Sequence, residues 1–200
     1  MSAWSRNKLN LFLSRQHKEQ LLGQRAKVIW MTGLSGSGKT TLAIDLEKEL
    51  HKRGFKTKVF DGDQVRAGIN KDLGFSMIDR TENIRRVAAA SRLFLDAGMV
   101  VISCFISPTR CLRNMARRII GPADFLEVFV HAPFEVCEQR DPKGLYREAR
   151  AGQLACFTGI GSPWEDPERP NLMINTHECT VKEAVRQLLD FVTPHISINQ

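Results

Sequence analysis

Apolar and polar positions change rhythm several times along this chain, and each change marks an element. In residues 1–26 polar side chains interrupt the apolar ones, which predicts a helical arm with Leu9, Phe12 and Leu13 on one face. At Val28-Ile29-Trp30-Met31 the pattern becomes a continuous apolar run, the mark of a buried strand. Leu42, Leu46 and Leu50 then recur at helical spacing until Gly54 stops them. Lys56–Phe60 reads as a second strand, ending at Asp61-Gly62-Asp63. Asp79 and Glu82 form a capping-box pair, which predicts a helix with Ile84, Val87, Ala88 and Ser91 packed and an end before Gly98. Met99–Phe105 is the strongest strand, an apolar run suited to the middle of a parallel sheet. Phe125–Val130 is another, with Pro133 at the first position of the next helix. Leu172–Ile174 is a last short strand, and Thr180 with Glu183 caps a final helix carrying Val185, Leu188, Leu189 and Phe191.

Strands alternating with helices imply an α/β fold, a parallel sheet covered by helices on both faces. The arm at 1–26 precedes one domain at 27–200. Within it, from about residue 141 to 170, the rhythm lapses into glycine, proline and charge, as a mobile lid would. The chain has 200 residues, enough for one sizeable core. No apolar run approaches the roughly 20 residues of a membrane helix, and the first residues lack a signal-peptide pattern. A cytoplasmic protein with no membrane partner is therefore expected. Five cysteines without a CxxC pair signal neither zinc nor a redox dithiol, and are expected to be buried free thiols. The net charge of +7 is dispersed rather than clustered. That argues against nucleic acid and for a small polyanionic substrate.

The sharpest chemistry is Gly33-Leu34-Ser35-Gly36-Ser37-Gly38-Lys39-Thr40, lying between a strand and a helix. Its glycines let backbone N–H groups surround phosphate oxygens, and the helix N-terminus adds positive potential. Lys39 is placed to reach the β- and γ-phosphates of a nucleoside triphosphate, and the Thr40 hydroxyl to ligate Mg²⁺. The fold expected is thus of the P-loop NTPase type. Two strings imitate GTPase motifs without meeting them. Asn70-Lys71-Asp72 lacks the residue needed between Lys and Asp, and Asp141-Pro142-Lys143-Gly144 lies within the lid.

Loops after different strands converge at the C-terminal edge of a parallel sheet. Asp61 and Asp63 can divide the work there, one near Mg²⁺ and one taking a proton from an attacking hydroxyl. Arg66, Arg80 and Asn83 suit an anion, and Phe75 with Phe157 could sandwich a planar base. Arg140 and Lys143 stand at the lid entrance, where an arginine can stack on adenine and a lysine can meet developing phosphoryl charge. Ser107-Pro108 reads equally as a helix N-cap followed by proline at the first position.

Taken in order, GLSGSGKTT, DGDQVR, NKDLGFS, DRTENIRR, CFISP, EVCEQRDPKGLY and FTGI closely resemble the adenylylsulfate kinases (APS kinases), from about residue 3 to 192. The resemblance implies transfer of the γ-phosphoryl group of ATP to the ribose 3′-hydroxyl of adenosine 5′-phosphosulfate, a step of sulfate assimilation. It implies ATP on Gly33–Thr41, so including Thr41, with Mg²⁺ near Thr40 and Asp61. It makes Asp63 the base, with Lys39 and Lys143 meeting phosphoryl charge. It assigns Arg66, Arg80, Asn83 and the backbone at Ile106-Ser107 to the phosphosulfate, Phe75 and Phe157 to its adenine, and Arg140 to the ATP base. Ser107 matches a serine assigned in the family as a phosphoenzyme intermediate, which direct in-line transfer does not need. A homodimer is implied as well. Gln64, Ala67, Thr109, Gly161-Ser162 and Trp164 depart from the usual pattern, and the changes at 161–164 bear on the lid.

Two other readings compete. One is a small-molecule kinase with another acceptor, such as a nucleoside or sugar acid; the set Arg66/Phe75/Arg80/Asn83/Phe157 discriminates, because a neutral sugar site would not need that cationic, aromatic pocket. A nucleotide-binding switch acting on nucleic acid would carry basic stretches with interleaved aromatics, which the dispersed charge does not supply.

Overall fold

The computed structural model describes residues 12–154 and 156–198. At its centre lie five parallel strands, β1 (Val28–Thr32), β2 (Thr57–Asp61), β3 (Val100–Cys104), β4 (Phe125–His131) and β5 (Leu172–Asn175), in the order β2-β3-β1-β4-β5. Val28 sits opposite Val101 on one side and Phe125 on the other. Among the described residues eight α-helices surround the sheet: α1 (Arg15–Leu22), α2 (Lys39–Lys52), α3 (Gly62–Ala67), α4 (Met77–Asp96), α5 (Arg110–Ile120), α6 (Phe134–Arg140), α7 (Leu145–Arg150) and α8 (Val181–Ile196).

Every residue of β1 is buried, because alternate side chains meet different layers. Ile29 and Met31 join a core with Leu42, Leu46 and Leu50 of α2 and Leu188 and Val192 of α8. Val28 and Trp30 join one with Val87 of α4 and Leu112 and Ala116 of α5. Burying each large apolar side chain is worth about 1.5–3 kcal/mol, so this central strand is the firmest base from which to hang a loop. No helix among the described residues is long and apolar enough to cross a membrane.

Several local expectations need correction. The helix read from Asp79 begins at Met77, and its cap is Ser76, whose Oγ accepts from Asp79 N at 3.1 Å and donates to the Asp79 carboxylate at 2.7 Å. Glu82 instead pairs with Arg85 and Arg86. Ser107 is not an N-cap: Thr109 caps α5, its Oγ1 accepting from Leu112 N. Pro133 is itself the cap of α6 rather than its first residue. The box at Thr180 and Glu183 is formed in both directions.

The span from 141 to 170 is less irregular than its composition suggests. It contains α7, and Tyr146, Ala149 and Phe157 form a third apolar cluster with Leu34, Ala132 and Cys137. Asp141, at φ 21°, opens it: its carboxylate accepts from Tyr146 N and Arg147 N at 3.1 Å each. The Asp-Pro-Lys-Gly string is thus a helix start.

Only part of the arm lies among the described residues. Leu9 falls outside them, and Phe12 and Leu13 are exposed ahead of α1. Arg15 anchors that helix by forking onto Asp124 at 2.5 and 3.0 Å. The Gln24 carboxamide accepts from Lys56 N and donates to the carbonyls of Lys56 and Gly98. Gln24 also bridges to Ser197 beyond α8. The cysteines are free, but only Cys104 and Cys137 are buried; Cys179 is half-buried, and Cys111 on α5 and Cys156 after α7 face solvent.

Candidate active site

The chain leaves β1 toward β2 and β3 on one side, then returns past it to β4 and β5 on the other. Strand order reverses at β1, and the crevice of such a sheet opens outside the strand ends at that reversal. The glycine loop at 33–38 fills that position. Gly33, at φ 153°, has no room for a side chain: a Cβ there would lie 2.2 Å from the Val130 carbonyl oxygen. Gly36, at φ 76°, would bring one to 2.8 Å from the Cys137 carbonyl oxygen. The loop is therefore pressed against β4 and α6, and only glycine permits it.

Lys39 opens α2 and folds back into the loop. Its Nζ donates to the carbonyls of Gly33 at 2.9 Å and Leu34 at 2.7 Å. Burial pushes its pKa down to about 8, since a charged ammonium is disfavoured away from water. Thr40 Oγ1 donates to Asp61 Oδ2 at 2.8 Å, and Asp61 Oδ1 accepts from Asp63 N at 3.0 Å. One carboxylate at the end of β2 thereby joins the phosphate loop to the cap of α3, the short helix that presents Asp63 and Arg66. Asp63 is largely exposed, and its carboxylate accepts from Lys143 Nζ in the segment between α6 and α7.

Beyond Asp63 the cations gather. Arg66 donates to the carbonyls of Leu73 and Gly74, and its guanidinium lies 4.3 Å from the centre of the Phe75 ring. Arg80 Nε donates to the Phe75 carbonyl, Nη1 to Thr158 Oγ1 at 2.8 Å, and Nη2 to the Cys156 carbonyl. Burial lowers the pKa of both arginines from the ordinary value. Arg80 thus bridges the segments bearing Phe75 and Phe157. The two rings differ: Phe75 is 62% exposed, whereas Phe157 is buried edge-on against Tyr146. Asn83 is buried on α4, its Oδ1 accepting from Asn70 Nδ2.

The Ser107 hydroxyl is engaged within the fold. Ser107 is 2% exposed at φ 40°, and its Oγ accepts from Trp30 Nε1 at 3.1 Å and donates to Thr32 Oγ1 at 3.0 Å. Thr32 Oγ1 in turn donates to the Ile106 carbonyl at 2.6 Å. The serine hydroxyl thus knits the end of β3 to β1, facing inward. Its carbonyl accepts from Arg113, a buried arginine that also pairs with Glu127 and donates to the Glu165 carbonyl.

Arg140 donates to the Gly36 carbonyl and to Thr176, whose hydroxyl donates to the Ser37 carbonyl at 2.8 Å. Tyr146 Oη donates to the Ser35 carbonyl at 2.9 Å. Thr176, Tyr146, Trp30 and Asn70 are supports the sequence reading missed. Each is far in sequence from what it holds, and no local spacing announces such a contact.

This geometry has close relatives. The model of the adenylylsulphate kinase family matches residues 25–175. An adenylyl-sulfate kinase of Bacteroides fragilis is 55% identical over 185 residues, covering 92% of each chain. One from Clostridium acetobutylicum is 49% identical over 183 residues, covering 92% of this chain and 91% of its own. Among solved structures, a Mycobacterium tuberculosis APS kinase in complex with AMPPNP and APS is 44% identical, with a TM-score of 0.81 over 84% of this chain and 98% of that one.

Proposed function

The chain belongs to the adenylylsulfate kinase family, and from that premise we propose how its crevice divides between donor and acceptor. The enzyme transfers the γ-phosphoryl group of ATP to the 3′-hydroxyl of adenosine 5′-phosphosulfate. ATP lies with its phosphates on the backbone of Gly33–Thr41, Lys39 against the β- and γ-phosphates, and Arg140 beside its base. The acceptor lies beyond Asp63, its anionic end met by Arg66, Arg80, Asn83 and the backbone of Ile106-Ser107, and its adenine between Phe75 and Phe157.

Thr40 Oγ1 and Asp61 Oδ2 are hard oxygens 2.8 Å apart, a donor type that suits Mg²⁺ sharing phosphate oxygens. Bound there, the ion would neutralise charge on the transferring group. Asp63 takes the proton as the 3′-oxygen bonds to the γ-phosphorus and the bond to the β,γ-bridging oxygen breaks, releasing ADP. Before that step Lys143 moves from Asp63, freeing it to act as base and meeting the developing phosphoryl charge. The observation that carries this reading is the double acceptance by Asp61, from Thr40 Oγ1 and Asp63 N. It makes the donor loop and the acceptor's base one hydrogen-bonded unit. No phosphoserine step enters: the inward, hydrogen-bonded Ser107 hydroxyl favours direct in-line transfer.

We further propose a cytoplasmic homodimer. Exposed Leu21 and Leu93 offer apolar surface for self-association, and light scattering of the purified protein tests it. The functional test is ADP release with ATP, Mg²⁺ and adenosine 5′-phosphosulfate against a panel of nucleosides and sugar acids. Turnover with the phosphosulfate alone is expected; preference for another acceptor would overturn the assignment of the acceptor pocket.

A further inference from the structure

The string Asn70-Lys71-Asp72, no guanine motif, has a different employment. Asp72 clamps Arg86 of α4 at 2.7 and 2.8 Å, and the next residues, Leu73 and Gly74, hold Arg66 through their carbonyls. Asn70 itself is fully buried beneath α4, and its Nδ2 donates to Asn83 Oδ1 at 2.9 Å. Its own Oδ1 is buried with no protein partner among the described residues. An unpaired buried acceptor is unfavourable, and a leucine of similar size would fill the place without it. Packing alone therefore does not account for an asparagine here; its donor end does.

That donor decides which way the Asn83 carboxamide points. With Oδ1 engaged by Asn70, the free end of Asn83 is its Nδ2, which has no acceptor among the described residues. An amide can serve an anion only through its N–H₂ end, and turned by half a revolution it would present an acceptor oxygen instead. We propose that Asn70 is a positioning residue that holds Asn83 with its donor facing the anionic group of the acceptor nucleotide, so that the pair selects for an anion. This inference rests on the placement of Asn83 in the acceptor pocket proposed above.

Asn70→Asp tests it. A carboxylate at 70 can only accept from Asn83, and so turns the Asn83 oxygen toward the substrate. The KM for adenosine 5′-phosphosulfate is expected to rise about 10-fold or more, as for loss and reversal of a contact to a charged group. The KM for ATP should stay within about twofold, inside the spread of context effects for a site on another loop. In an Asn83→Ala background the same Asn70→Asp change should add nothing to the phosphosulfate KM. Asn70→Ala, which removes the donor without reversing the amide, should fall between wild type and Asn70→Asp; damage to packing alone would make alanine the worse of the two. An equal KM rise with and without Asn83, or a parallel loss of ATP affinity, would overturn the positioning role. An unchanged KM in Asn83→Ala alone would instead remove Asn83 from the acceptor pocket, and this proposal with it. Should Asn70→Asp fail to fold, Asn70→Ala in the two backgrounds decides alone, its effect vanishing without Asn83 or persisting against the proposal.

Discussion

Lys143 donates to the carboxylate of Asp63, tying the segment between α6 and α7 to α3. Both side chains are substantially exposed, and exposed ion pairs contribute little stability, about 0–1 kcal/mol. The contact therefore does little for the fold. In the proposed mechanism it keeps an acidic and a basic group adjacent where a hydroxyl proton and a phosphoryl charge are to be handled.

Asp63→Asn should lower kcat by about 10²-fold or more, the scale of general-base loss, while the KM for ATP stays near wild type. Steady-state kinetics with saturating phosphosulfate checks it. Near-normal turnover would remove Asp63 as the base.

Lys39 predicts a pH profile. Its pKa in the unliganded protein is pushed down to about 8 by burial, so above that pH the loop loses its cation. kcat/KM for ATP, which reports the free enzyme, is expected to fall as pH rises through about 8. kcat should fall only at higher pH, because bound phosphates favour the charged lysine. For stability the sign is reversed. A lysine whose folded pKa is lowered opposes folding while it is charged, and that cost is relieved as pH rises from about 8 toward 10.5. A kcat/KM profile flat to pH 9.5 or so would refute the assignment of Lys39 as the titrating group.

Ser107→Ala should retain activity within about tenfold while losing about 1–3 kcal/mol of stability, because Trp30 Nε1 is left buried without its acceptor. Denaturant unfolding measures the second effect. Complete loss of turnover in a protein that still melts cooperatively would revive a phosphoserine route.

Gly36→Ala places a Cβ against the Cys137 carbonyl at a positive φ. Such backbone strain costs on the order of 1–3 kcal/mol, and it falls on the segment that wraps the phosphates. ATP affinity, measured by calorimetry, should drop by about tenfold or more for a shift of that size. Unchanged affinity would mean that the loop adjusts without α6.

The sheet was largely legible because parallel strands buried on both faces read as unbroken apolar runs, as at Val28–Met31 and Met99–Phe105. The phosphate loop was legible because its chemistry is local. Helix starts were harder. Ser76-x-x-Asp79 and Asp79-x-x-Glu82 satisfy one capping pattern, and only the pairing of Glu82 with Arg85 and Arg86 separates them. Helix α7 escaped notice because six residues show no period, and its start depends on the strained turn at Asp141. Likewise Ser107 looked like a cap until Trp30, on another strand, claimed its hydroxyl. What stayed hidden in each case is a partner supplied by tertiary packing.

The Gln24 carboxamide fastens the exit of α1 to Lys56 and to Gly98, 74 residues away, while Arg25 N donates to the Ile196 carbonyl near the other chain end. Contacts between residues so far apart in sequence carry a large loop-closure cost, which the sheet between them lowers once it has assembled. The contacts of this clasp are therefore expected to form late in folding. Loosening it, as by Gln24→Ala, would leave the refolding rate nearly untouched and speed unfolding instead. The clasp is thus expected to govern how long a folded molecule lasts rather than how quickly it forms.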